Sequence, residues 1–99
     1  MHQSIKQWSA GDQPREKLIL MGSKSLSEAE LLAILMRIGT RNKSALDVAK
    51  ELLTQNDNSI AALAKLSVHE LMKIKGIGEA KAVSIAAALE LGRRRVTEN

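Results

Sequence analysis

Apolar residues recur at intervals of three and four along most of this chain, and that spacing predicts helices that each bury one face. The first clear start is a capping-box pattern, in which the side chains of Ser27 and Glu30 can each accept a backbone N–H. We predict a helix near 27–38 that stops at Gly39, a residue type that readily adopts the left-handed backbone of a helix end. No segment alternates apolar and polar residues as a strand would.

Two further helices are predicted in the middle of the chain. Ser44 followed by Asp47 is a weaker capping signal for a helix over about 45–55, with an apolar face behind it. This helix should fade in the polar, turn-forming run 55–58. A short helix over 59–63 should follow, because a serine that can cap it stands at its start.

The last third of the chain predicts two helices joined by a tight turn. Ser67 and Glu70 repeat the capping-box pattern at the start of a helix near 67–74, and the final helix runs over about 79–94. Apolar residues are spaced to line the inner face of both helices. The turn between them reads Gly-Ile-Gly over 76–78, which is typical of a helix-hairpin-helix motif.

The residues of this turn favour binding of a phosphate. Gly76 and Gly78 can adopt backbone angles that a Cβ would forbid, while Ile77 can anchor the turn in the core. The N–H groups from Gly76 to Glu79 would then point outward at the positive end of a helix dipole, which attracts anions. We therefore predict contacts with a nucleic-acid backbone. The alternative is a structural turn that binds no ligand.

Three lysines crowd the same turn, namely Lys73, Lys75 and Lys81. A charge cluster is usually a solvated face, but one that is concentrated around exposed amides favours a phosphate partner.

Segment 27–55 repeats the pattern of segment 67–94 in a degenerate form with a longer turn, within a predicted helix-hairpin-helix domain that spans 25–96. Ile38 stands where the second turn has Ile77. Two hairpins side by side would contact both strands of a duplex. The alternative is that such echoes arise in any all-helical chain. The candidate phosphate contacts of the first turn are Arg37, Gly39, Arg41 and Lys43.

An N-terminal arm is predicted over residues 1–24. Trp8 is interpreted as its packing anchor, Asp12 as a helix cap, and Pro14 as a first-turn residue of a short helix that ends near Gly22.

Composition narrows the class of protein. The chain has 99 residues, enough for one compact domain, and 44% of them are hydrophobic although Phe and Tyr are absent. A core of Leu, Ile, Ala and Met suits an all-α bundle of closely packed helices. The single tryptophan excludes binding of single strands by stacking on several aromatic rings. Fifteen Lys and Arg against eleven acidic residues give a formal net charge of +4, a moderate bias toward an acidic partner.

The sequence gives little indication of catalysis or of metal binding. There is no cysteine, which excludes disulfides and thiolate metal sites, and the two histidines, His2 and His69, have no paired ligand nearby in sequence. No spacing typical of a nucleophile motif is present. We therefore expect no enzymatic activity, no metal and no cofactor. The start lacks the apolar region of a signal peptide and no run is long enough to span a membrane, so we expect a cytoplasmic protein.

A combination of motifs resembles a known family. The carriers are Trp8, Asp12-Gln13-Pro14-Arg15-Glu16-Lys17-Leu18, Leu26-Ser27-Glu28-Ala29-Glu30-Leu31-Leu32-Ala33-Ile34-Leu35, Lys75-Gly76-Ile77-Gly78-Glu79-Ala80-Lys81-Ala82 and Leu89-Glu90-Leu91-Gly92-Arg93-Arg94. Together they resemble the N-terminal domain of the RadC family, over roughly residues 5–95. The resemblance implies a SAM-like bundle similar to the second domain of RuvA and a role in DNA repair. In full-length members it also implies a following JAB/MPN domain, whose zinc site uses a glutamate, a His-x-His pair and an aspartate.

Two functions are carried forward. The first is a non-enzymatic module that binds duplex or branched DNA without sequence specificity, because short glycine turns offer no side chain to read base edges. The second is a protein-interaction or spacer domain that positions the JAB/MPN domain, which is absent from this chain.

Overall fold

A computed structural model describes residues 13–98, and every regular element within that range is a helix. The α-helices are α1 (Gln13–Met21), α2 (Glu28–Met36), α3 (Ala45–Thr54), α4 (Ile60–Ala64), α5 (Val68–Met72) and α6 (Glu79–Glu98), with one 3-10 turn at Ser23–Ser25 between α1 and α2. The predicted all-α class is confirmed for these residues. None of the helices in this range is long and apolar enough to cross a membrane. The predicted roles of Trp8 and Asp12 lie outside the described residues.

The predicted helix starts are confirmed. They could be read from the sequence because each depends on a cap formed by residues close together in the chain. In each of three boxes the serine hydroxyl accepts a backbone N–H at 3.1 Å, and the acidic side chain three residues on accepts the N–H of the serine. These bonds satisfy amides that the first turn of a helix leaves without acceptors. The three pairs are Ser27 with Glu30, Ser44 with Asp47, and Ser67 with Glu70.

The predicted stop of α2 at Gly39 is wrong. The helix ends at Met36, because Arg37 has φ 70° and ψ −56° and the N–H of Ile38 donates to the Met36 carbonyl at 2.8 Å. Gly39 has a different function, since a Cβ there would overlap the Lys43 carbonyl. The glycine is required for close approach of two backbone segments and not for a left-handed helix end.

The final helix is longer than predicted and continues past Arg94 to Glu98. Nothing in that tail breaks a helix, and Glu90 accepts hydrogen bonds at 2.8 Å from both Arg93 and Arg94 on the following turn. Such pairs, three and four residues apart, support a helix at its surface.

The chain divides into two compact units, residues 1–50 and 51–99, and the boundary falls within α3. In the first unit α1 packs on α2, and Lys17 forms a 3.2 Å salt bridge to Glu30, the same carboxylate that completes the cap of α2. Leu32 and Met36 of α2 are buried, as is Pro14 in the first turn of α1.

In the second unit α6 packs on α5 and on α4. Leu63, Leu71 and Ile85, one from each of these helices, are fully buried, and Ala82 allows close approach at the start of α6. This packing sets the position of the turn between α5 and α6.

Candidate nucleic-acid interface

The turn between α5 and α6 is anchored by a buried isoleucine. Ile77 is only 4% exposed, and its N–H donates to the Ile74 carbonyl at 3.0 Å. Gly76, the residue before it, has φ 93°, a backbone angle that favours glycine. The predicted anchoring role of Ile77 is confirmed, and the turn is held in place by the core of the second unit. The prediction that the Ile77 amide points outward to a phosphate is wrong, because this N–H donates to the Ile74 carbonyl within the turn.

Gly78 does not have the backbone role predicted for it. Its φ lies outside the left-handed region, and a Cβ built on it meets nothing within 4 Å. It instead precedes the first turn of α6, where its carbonyl accepts the N–H of Ala82 at 3.0 Å. The two glycines therefore differ: Gly76 allows the turn, whereas Gly78 leaves open space in front of the helix start.

Three consecutive backbone amides lie at the start of α6, those of Gly78, Glu79 and Ala80. All three residues are exposed, and within residues 13–98 these amides have no hydrogen-bond acceptor, as expected for the first turn of a helix. α6 has 20 residues, so its dipole places positive partial charge on the same groups. Amides arranged in this way can donate to the oxygens of a single phosphate.

The predicted lysines lie on and beside this turn. Lys73 caps the end of α5 and is exposed, as is Lys75. Lys81 is half-buried and donates from Nζ to the Gly76 carbonyl at 3.2 Å, so it also stabilises the turn. The carboxylate of Glu79 in the first turn of α6 opposes this positive charge. The net local charge remains positive, which favours an anionic partner.

The first turn also collects cations, but its backbone is not a copy of the second. Arg37, Arg41 and Lys43 are all exposed on one loop, which is closed by a 2.8 Å hydrogen bond from the Thr40 N–H to the Lys43 carbonyl. Ile38 is 72% exposed, in contrast to the buried isoleucine of the second turn. The proposed equivalence of these two isoleucines is wrong, because the left-handed φ of Arg37 ends α2 early and precedes an outward-facing Ile38. Whether both turns contact one duplex stays a prediction.

A groove in the second unit was not predicted from the sequence. It lies between α4 and the C-terminal half of α6, has a volume of about 590 Å³, and is lined mainly by apolar and small residues that include Ile60, Ala64, Leu89, Gly92 and Val96. One sequence pattern could have indicated this groove: Ile60 and Ala64 are four residues apart, as are Gly92 and Val96. That spacing places each pair on one helix face.

No cluster of three His, Cys, Asp or Glu side chains within residues 13–98 could hold a metal ion. His69 is exposed in the first turn of α5, and His2 lies outside the described residues.

Comparison with known proteins places the chain in a family. Residues 5–83 match the family model described as UPF0758 N-terminal. A UPF0758 protein of Flavobacterium johnsoniae is 55% identical over 98 residues, which is 99% of this chain and 42% of that protein. UPF0758 proteins of Dechloromonas aromatica and Neisseria meningitidis are 45% and 48% identical over 95 residues, which is 96% of this chain and 42% of each relative.

The chain thus spans less than half the length of these relatives. No solved structure gives a significant match. With more than half of its residues covered by the family model, the chain belongs to the UPF0758 family, the RadC-like family that its motifs indicate.

Proposed function

We propose that this chain is a DNA-binding module without sequence specificity, in which the turn between α5 and α6 holds a backbone phosphate. The observation that carries the proposal is the group of backbone amides at the exposed residues Gly78, Glu79 and Ala80, which have no acceptor within residues 13–98 and lie close in sequence to three lysines. In this proposal α5, the turn and α6 form a helix-hairpin-helix motif of the SAM-like kind found in the second domain of RuvA.

The anchoring of the turn supports binding to a rigid polymer. Because Ile77 and Gly76 hold the backbone in one conformation, the amides are oriented before the ligand arrives, and little ordering entropy is lost on binding. The lysines would add counterion release, which is the main source of nonspecific affinity for DNA. The turn has no side chain suited to reading base edges, so it would recognise backbone geometry and not sequence.

A role in DNA repair is part of the same proposal, through the RadC-like character of the family. The chain would supply the DNA contact of a longer protein, since the relatives are more than twice as long as the matched segment. No enzymatic step is assigned to the chain itself.

A salt-dependent titration with linear duplex DNA tests the proposal. Replacing Lys73, Lys75 and Lys81 by alanine should weaken binding about evenly across sequences and reduce the slope of log K against log salt by about three units, close to one per lysine. Circular dichroism should show the same helix content as the parent.

A charge-matched control separates a local site from general attraction. The triple variant Lys24→Ala, Lys65→Ala and Arg95→Ala removes the same charge from exposed positions away from the turn in sequence. It should retain most of the affinity and slope. Equal losses in the two triple variants would contradict a site at the turn, and an unchanged slope in the first variant would exclude the DNA proposal.

The groove between α4 and α6 favours a second candidate function, a domain that docks on another part of the longer protein. Its occupant would be polypeptide from the portion of the relatives outside the match, which is more than half of their length. In the test, the unmatched portion of the Flavobacterium johnsoniae relative is added to this chain and to its Gly92→Leu variant. Gly92 has open space around it, so leucine should fill the groove without strain and abolish binding. Absence of binding to the parent chain would exclude this candidate.

A further inference from the structure

The loop that follows α2 presents one apolar side chain among several cations. Ile38 is 72% exposed. Arg37 precedes it, Arg41 and Lys43 follow it, and no acidic residue lies between positions 37 and 44. A single exposed isoleucine is ordinary on a protein surface. An isoleucine enclosed in sequence by three exposed cations is suited to a polyanion that also offers an apolar surface.

The backbone holds this isoleucine in a defined place. Arg37 has φ 70° and ψ −56°, the angles of a strained three-residue turn that non-glycine residues rarely adopt. Beyond it, Gly39 packs against the Lys43 backbone so closely that a Cβ would not fit, and the Lys43 N–H donates to the Thr40 hydroxyl at 3.1 Å. The loop is therefore closed on itself, and Ile38 is presented by a fixed support.

Duplex DNA is the polyanion that matches this arrangement. Its phosphates flank a stack of apolar base faces, so cations on a loop can contact the backbone while one aliphatic side chain enters between bases. A lipid surface fits less well, because one isoleucine contributes little apolar area for insertion.

We propose that Ile38 is an apolar wedge that enters a weakly stacked step in DNA, while Arg37, Arg41 and Lys43 hold the flanking phosphates. This inference rests on the proposed function, since it requires that the chain bind DNA, and it names the preferred substrate class. Insertion unstacks a base step, and the cost of unstacking is lowest at a mismatch, nick or branch. The chain would therefore prefer distorted DNA to a perfectly paired linear duplex.

The test compares two duplexes of the same length, one fully paired and one with a central mismatch beside a fluorescent 2-aminopurine. The parent should bind the mismatched duplex about tenfold more tightly and raise the 2-aminopurine fluorescence as the base unstacks. Ile38→Ala should bring the affinity ratio close to one and remove the fluorescence change. The slope of log K against log salt for this variant should equal that of the parent, since no charge is lost.

Ile19→Ala is the matched control, because Ile19 in α1 is also an isoleucine and is 71% exposed, close to the exposure of Ile38. It should retain both the preference and the fluorescence change. Circular dichroism and thermal melting establish that the alanine variants are folded, as expected for exposed positions.

The outcomes separate the wedge from the DNA proposal. If the parent binds both duplexes equally, or if Ile38→Ala keeps the preference, the wedge is overturned while DNA binding at the second turn stands. If the parent binds neither duplex, both proposals fail. If Ile38→Ala instead loses binding to vesicles containing phosphatidylserine and keeps its DNA preference, the loop is a membrane contact and the wedge is overturned.

Discussion

At the scale of single residues, the candidate phosphate site depends on two glycines with different constraints. Gly76 has φ 93°, so any side chain there strains the turn that carries Ile77. Gly78 has no such angle and faces open space, so a side chain is tolerated by the protein but would occupy the place of a ligand. Stability and binding can therefore be separated by substitution at neighbouring positions.

We predict that Gly76→Ala lowers the free energy of unfolding by about 1–2 kcal/mol, because alanine must adopt a left-handed backbone. Gly78→Val should cost no more than about 1 kcal/mol of stability, as expected at a helix-capping position. It should also weaken DNA binding at least about tenfold, because the side chain blocks the amides. Urea denaturation and DNA titration measure the two effects. A folded Gly78→Val variant with the affinity of the parent would show that no phosphate approaches this backbone.

At the scale of elements, α6 carries opposing charges at its two ends. Glu79 lies in the first turn, where a carboxylate stabilises the helix dipole, and Arg95 lies in the last turn, where a cation does so. The acidic residue lies beside the amides that we assign to phosphate. It therefore supports the free helix but competes with a bound anion.

We predict that Glu79→Gln raises the affinity for duplex DNA about two- to fivefold at low salt, because a carboxylate beside the site is removed. The same change should slightly lower the melting temperature. The control Glu98→Gln, at the other end of α6, should change the affinity much less. Equal gains in the two variants would indicate only the effect of net charge.

The capping boxes predict a dependence of stability on pH. The Ser27 backbone N–H lowers the pKa of Glu30, to which Lys17 also contributes, and the Ser67 backbone N–H lowers the pKa of Glu70. Because each pKa is lower in the folded chain, the unfolded chain binds protons first as the pH falls. The contribution of these caps is therefore complete above the ordinary carboxyl pKa and is lost at lower pH.

We expect the free energy of unfolding to fall as the pH is lowered from about 5 to about 2.5, partly through these two carboxylates. In the variant Glu30→Gln with Glu70→Gln the fall should be shallower, since an amide oxygen can still accept the serine N–H but does not titrate in this range. Urea denaturation at several pH values measures this difference. An unchanged slope in the double variant would contradict a role for the caps.

At the scale of the whole molecule, each of the two compact units presents one basic turn. If both turns contact the same DNA molecule, each contributes its own phosphate contacts. Removing the cations of each turn should then lower the slope of log K against log salt, and the two reductions should add.

We predict that replacing Arg37, Arg41 and Lys43 by alanine lowers the salt slope by about three units. Combining these changes with the lysine triple at the second turn should lower it by about six units. Titrations of both variants with one duplex measure the slopes. If the first-turn triple leaves the slope unchanged, only the second unit binds DNA, and the paired arrangement is excluded.

The sequence by itself determined where the helices start and which isoleucine and lysines form the second turn. Serine hydroxyls and acidic side chains reach amides only three residues away, so a cap such as Ser67 with Glu70 is a local property. The apolar spacing around Ile77 likewise predicted its burial, because it continues the inner faces of the two flanking helices. The family resemblance followed from the same local motifs.

The tertiary structure alone decided how the turns are shaped and what lies between helices. Whether an Ile-Gly pair is anchored or exposed depends on the packing around it, so Ile38 and Ile77 differ although their sequence contexts are similar. The predicted roles of Gly39 and Gly78 were wrong for a related reason. A glycine can be required for a left-handed φ, for close approach of another backbone segment, or for neither. The sequence does not distinguish these cases, because they depend on the backbone angle and on the neighbouring atoms. The groove between α4 and α6 has no local signature of comparable strength, because it is created by two helices that are distant in sequence and pack side by side.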